Sequence, residues 1–171
     1  MQTASPARRN RGFTLIELMV VVVIGAILLG IAVPSYMSQV RQSRRTEAKT
    51  ALLDLAGREE RFYSVAINPA TGPAYSQLPN DLGYNAAGWP VPIGSTGTNY
   101  YQVTVCVPAA ANCAGAGLTM PAGPPPAPSY VVVATPLASQ VNDTLCRTLA
   151  VDSVGQQYAT GTSGAQYCWG N

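Results

Sequence analysis

The chain contains no histidine and few charges. Asp, Glu, Lys and Arg make up 11% of its 171 residues, against about 25% in an average soluble domain. The usual general base near neutral pH and the commonest metal ligand are therefore missing. None of the four cysteines, at 106, 113, 146 and 168, forms a Cys-x-x-Cys pair. Without histidine to complete it, a zinc site is not expected. There is no P-loop, no Gly-x-Ser-x-Gly elbow, no EF-hand loop and no dinucleotide fingerprint. The sequence points away from an enzyme and calls for no metal or cofactor.

What remains is a chain of single-domain length with 47% hydrophobic residues. Its 16 Gly and 14 Pro exceed the average without reaching the range of disordered segments. The formal charge is +2, but Arg8, Arg9 and Arg11 precede the first hydrophobic run. Counted from residue 13 onward, seven basic side chains face eight acidic ones, a net charge of −1. That balance argues against nucleic acid as a partner.

Residues 13–33, FTLIELMVVVVIGAILLGIAV, carry one charge, Glu17. As a helix they span about 31 Å, the thickness of a bilayer core. The arginines before them favour a cytoplasmic N-terminus. The run is too long for a secretory signal, and Ile31-Ala32-Val33-Pro34 is a poor small-residue cleavage site. A plain membrane anchor explains the length and the arginines but not Glu17. A carboxylate in a span costs up to about 3 kcal/mol and usually has a partner. No basic residue lies inside the run.

Arg11-Gly12-Phe13-Thr14-Leu15-Ile16-Glu17-Leu18 resembles the prepilin signature of type IV pilins and secretion pseudopilins. The likeness is close over about 25 residues and holds only in outline beyond them. It implies a leader, 1–12, cut by a membrane prepilin peptidase between Gly12 and Phe13, with Phe13 then N-methylated. It implies that Glu17 pairs with the terminal amine of a neighbouring subunit, which supplies the cation the sequence lacks. Residues 13–34 become a transmembrane and assembly helix, and 35–171 a periplasmic head. Pro34 matches a family proline at which the first helix bends. The implied fold class is α+β, a long N-terminal helix packed on a four-stranded antiparallel sheet. Its first half is transmembrane and its second half amphipathic.

The head supports that outline residue by residue. In 35–64, Ala48, Ala51, Leu52, Leu55 and Phe62 mark one face of a helix. Arg44, Arg45, Glu47, Lys49, Asp54, Arg58 and Glu59 are assigned to its polar faces. The Arg41, Arg44 and Arg45 cluster, without interleaved aromatics, reads as a solvated or intersubunit face paired with Glu47 and other acids rather than a DNA contact. Residues 65–99 hold Asn68-Pro69, Gly72-Pro73, Pro79-Asn80-Asp81 and Pro90-Val91-Pro92, which is loop chemistry. Tyr75, Leu78, Leu82, Tyr84 and Trp89 are candidates to pin that loop. Strands are expected at 100–106, 129–135, 146–152 and 157–159, in a region 100–171 closed by disulfides.

Four cysteines in an exported head suit two disulfides, with three connectivities open. Cys106 and Cys113 flank a short loop, which suits a local bridge. The family resemblance implies a bridge closing the C-terminal segment, Cys146 to Cys168. Pseudopilins often bind calcium through a C-terminal acidic loop, but Asp143 and Asp152 are the only acids after Asp81. The resemblance implies a structural subunit of a type IV pilus, serving fibre biogenesis, adhesion or twitching motility, and the Cys-Trp tail resembles that of a minor pilin. Its implied partners are other pilins, the peptidase and an inner-membrane assembly platform. The alternatives are a type II secretion pseudopilin and a minor pilin for DNA uptake.

Overall fold

The computed structural model describes residues 12–68, 72–94, 98–110, 113–121 and 123–170. The expected leader, apart from Gly12, lies outside them. The chain divides into two compact units, Met1–Val40 and Arg41–Asn171.

The first unit holds the start of α1 (Leu15–Val65). The helix opens on Thr14, whose Oγ1 accepts the Glu17 N–H at 3.3 Å and whose carbonyl accepts the Leu18 N–H at 3.2 Å. A threonine here satisfies N–H groups that the first turn would otherwise leave unpaired. Pro34 lies inside α1, and its missing N–H removes one rung of the ladder. The helix continues past it to Val65.

In the second unit the end of α1 packs on a sheet. The strands are β1 (Ile67–Asn68), β2 (Gly72–Pro73), β3 (Val91–Ile93), β4 (Tyr101–Cys106), β5 (Val131–Pro136), β6 (Leu149–Asp152) and β7 (Gln157–Ala159), followed by a short helix, α2 (Gly164–Trp169). β1 and β2 form a small hairpin. The main sheet has the order β3-β4-β5-β6-β7, with every neighbouring pair antiparallel.

The sheet thus has five strands rather than four. The additional one, β3, falls in the stretch read as loop because of Pro90 and Pro92. Proline is tolerated on a sheet edge, and β3 is an edge strand on which Pro92 lies opposite Gln102. Among the other described residues of 65–99 are the paired strands β1 and β2 and a 3₁₀ turn at Pro79–Leu82. Leu82 is buried, and Tyr75, Tyr84 and Trp89 pack on the core, whereas Leu78 is 53% exposed and pins nothing. α2 at Gly164–Trp169 is a further element outside those expected.

Both faces of the sheet are covered. Tyr101, Val103, Val105, Val132, Ala134, Leu149 and Val151 meet Ala48, Leu52 and Leu55 of α1. On the opposite face, Val131, Val133, Ala150 and Tyr158 pack with Ala109, Cys113, Ala116 and Leu118 of the β4–β5 connection. β5 is therefore apolar at consecutive positions, as a strand buried on both sides must be. The register agrees: Val132 lies opposite Val151, and Val133 opposite Ala150.

Candidate functional site

The first candidate is the N-terminal segment. Phe13 is 85% exposed, and the large apolar side chains from Leu15 to Val33 lie open to the surroundings. One stretch of α1 is long and apolar enough to cross a membrane, and none of it is buried. Water is a poor solvent for so continuous an apolar surface. It requires lipid or neighbouring helices as cover. Glu17 stands in the first turn, where the helix dipole favours an anion. It bonds no cation among the described residues.

The second is the face of α1 against the sheet, where two charged residues expected on its polar faces are buried. Arg45 is 8% exposed and Glu59 0%. The buried positions are 45, 48, 52, 55 and 59, a helical stripe in steps of three and four. That spacing was the available signal. Charge argues against that signal, because Arg and Glu are rarely buried without a partner.

Arg45 has a partner. Its Nε donates to Asp143 Oδ2 at 2.6 Å and its Nη2 to Oδ1 at 2.7 Å. Gln140 Nε2 donates to Asp143 Oδ2 at 3.0 Å and reaches the Tyr101 hydroxyl at 3.2 Å. The Cys146 N–H points at Asp143 Oδ1, 3.4 Å away. The bond to Asp143 raises the pKa of the Arg45 guanidinium further, against the opposing effect of burial. Burial pushes the Tyr101 phenol up to about 12. Arg44 lies over the Tyr100 ring at 3.5 Å and donates to Ser139 Oγ at 2.9 Å. Two residues of the basic cluster, Arg44 and Arg45, are therefore engaged with the head, and the acid that Arg45 pairs with is Asp143.

Glu59 is held differently. Its Oε2 accepts the Ser76 N–H at 3.0 Å, and its Oε1 has no partner. Burial, reinforced by the charges of Glu60 and Asp81, pushes its carboxyl up to about 7. Beside it, Ser76 Oγ donates to Asp81 Oδ2 at 2.8 Å, and the Tyr75 hydroxyl donates to Glu60 Oε1 at 3.2 Å. No group of His, Cys, Asp and Glu suited to a metal ion occurs among the described residues.

The third is the C-terminal segment. Cys106 is bonded to Cys113, and Cys146 to Cys168. The second bridge ties α2 to the approach to β6. Trp169 Nε1 donates to the Tyr158 carbonyl at 3.0 Å, fastening α2 to β7. Gly161 has φ +126°, and a Cβ there would sit 2.3 Å from the Leu145 carbonyl oxygen. Only glycine lets the two backbones approach so closely.

Residues 7–33 match the prokaryotic N-terminal methylation motif. Residues 34–150 match the family described as type IV minor pilin ComP, DNA uptake sequence receptor. The chain belongs to this family of type IV minor pilins. Its apolar helix is the segment that carries the methylation motif, and the helix-on-sheet head fills most of the family match. The chain is also 42% identical over 76 residues to the type IV major pilin protein PilA of Myxococcus xanthus strain DK1622. That likeness spans 44% of this chain and 32% of the relative.

Proposed function

We infer that this minor pilin is cut between Gly12 and Phe13, methylated on Phe13 and built into a fibre through its apolar helix. The observation that carries the reading is the direct succession of a methylation motif over 7–33 and a minor-pilin head over 34–150. Before assembly the span holds the subunit in the bacterial inner membrane, with Arg8, Arg9 and Arg11 on the cytoplasmic side. An assembly platform in that membrane moves it into the fibre. There the exposed apolar surface of α1 is covered by the helices of other pilins. The fibre serves adhesion or twitching motility.

Glu17 is the assembly residue in this reading. Cleavage frees the amine of Phe13, and the Glu17 carboxylate of an adjacent subunit neutralises it in apolar surroundings. That is the setting in which an ion pair must be complete to be tolerated. Glu17→Ala is expected to be processed normally but to be largely absent from sheared fibres, as read by immunoblot. Wild-type incorporation of that variant would remove Glu17 from the mechanism.

A second reading, DNA uptake, is favoured by the match to a family described as a DNA uptake sequence receptor. The cations offered for it here are Arg41 and Arg44 rather than Arg45, which is committed to Asp143. The test is binding of the full chain in detergent to a labelled duplex at about 50 and about 200 mM salt. Loss of affinity in the Arg41→Ala, Arg44→Ala double variant, with a shallower salt dependence, supports this reading. Salt-independent or absent binding opposes it.

A further inference from the structure

Several bonds fasten the connection between α1 and β3 to the helix, among them those from Tyr75 to Glu60 and from Arg58 to the Leu82 carbonyl, and one of them is made by a buried carboxyl group with incomplete bonding. Glu59 is 0% exposed. Its Oε2 holds the Ser76 N–H at 3.0 Å, while its Oε1 is buried with no partner. Ser76 is itself 2% exposed and organises the loop around it. Its hydroxyl donates to Asp81 Oδ2 at 2.8 Å and accepts the Leu78 N–H at 3.0 Å.

The groups facing Glu59 are all anionic or neutral. Glu60 follows it on α1, and Asp81 lies on the 3₁₀ turn; both charges oppose its ionisation. Tyr75, from the loop, and Tyr130, just before β5, pack edge to face at 4.6 Å, and both feel the Glu59 charge. The neighbouring cation on α1, Arg58, is turned away. Its Nε donates to Asp54 at 2.8 Å, its Nη1 to the Leu82 carbonyl at 2.8 Å, and its guanidinium lies over Tyr84. No cation bonds Glu59 among the described residues.

A neutral carboxyl is tolerated in such a pocket; a carboxylate is not. We propose that residues 75–82 form a proton-operated latch, clamped to α1 when Glu59 is protonated and released when Glu59 ionises. Ionisation draws the Glu59 side chain toward water, and the Ser76 N–H loses its acceptor. The loop then parts from the helix together with Leu82. Next to the latch is an open groove of about 570 Å³ lined by Arg58, Arg61, Phe62, Val65, Asp81 and Leu82. Asp81 and Leu82 form one wall, so the latch sets its width. The device places a pH-controlled surface on the head, independent of how the fibre is assembled.

The test is amide exchange of the full chain in detergent micelles, corrected for intrinsic rates, between pH 5 and pH 8. Protection of Ser76 and Leu78 is expected to fall at least tenfold as the pH rises, while Val132 and Val133 at the sheet centre stay constant. Glu59→Gln keeps the shape without the charge and is expected to hold the high protection throughout. Constant protection of Ser76 in the wild type, or an equal fall in Glu59→Gln, overturns the proposal. A carboxyl ¹³C titration of the unsubstituted protein needs no variant to fold. A Glu59 midpoint at or above pH 6 supports the latch, and one below it overturns the latch.

Discussion

Arg45 and Asp143 stand 98 positions apart in the chain and close a two-pronged ion pair at 2.6 and 2.7 Å. The pair joins α1 to the segment that leads into the C-terminal disulfide, and both side chains are almost fully buried. Breaking such a pair from one side leaves an uncompensated buried charge, at a cost of about 3–5 kcal/mol. Asp143→Ala and Arg45→Ala are each expected to lower the unfolding free energy of the head by that amount, read from urea denaturation. Replacing both with apolar residues of similar volume is expected to recover much of the loss. Equal stability of the single variants and the wild type would make the pair peripheral.

Stability should also depend on pH through Glu59. Its carboxyl lies at about 7 in the folded chain, above the ordinary 4.5. The folded state therefore holds a proton that the unfolded state has lost between those values. Stability from this group is full below about 4.5, falls as pH rises toward about 7, and is level above that. The slope is at most that of one proton, about 1.4 kcal/mol per pH unit. Denaturant midpoints collected across this window, in the wild type and in Glu59→Gln, should differ in slope. Parallel curves would assign the pH dependence elsewhere.

These two residues mark where the sequence stopped being legible. The spacing of Ala48, Leu52 and Leu55 located the buried face of α1. Arg45 and Glu59 continue the same stripe, but their charge assigned them to solvent. Their partners, Asp143 and Ser76, become visible only when distant segments are brought together. The prolines of 90–92 concealed β3 in the same way, because only the folded sheet shows that this strand lies on an edge. By contrast, the apolar run after Gly12 and its single acid were legible at once. They depend on local composition and not on tertiary pairing.

The Cys146–Cys168 bridge encloses a segment 22 positions long. On the chain-entropy account its removal costs about 3 kcal/mol. The Cys146→Ala, Cys168→Ala variant should melt lower and shift the Trp169 fluorescence, since α2 is held by the bridge and by the Trp169 bond to Tyr158. Gly161→Ala, which drives a Cβ into the Leu145 carbonyl, should cost about 1–3 kcal/mol with the bridge intact. An unchanged melting temperature for Gly161→Ala would show that the two backbones can separate at little cost.

Processing has its own test at Gly12. A bulky replacement there, such as Gly12→Val, should leave a precursor about twelve residues longer on a gel, unmethylated and absent from fibres. Efficient shortening of that variant would move the cut away from the Gly12–Phe13 bond.

The most direct measurement of the central claim is intact-mass and N-terminal peptide analysis of sheared fibres. A processed minor pilin predicts a low-abundance subunit that begins at N-methylated Phe13 and carries both disulfides. A chain in the fibres that still begins at Met1, or fibres from which the protein is missing although it is present in the membrane, would contradict it.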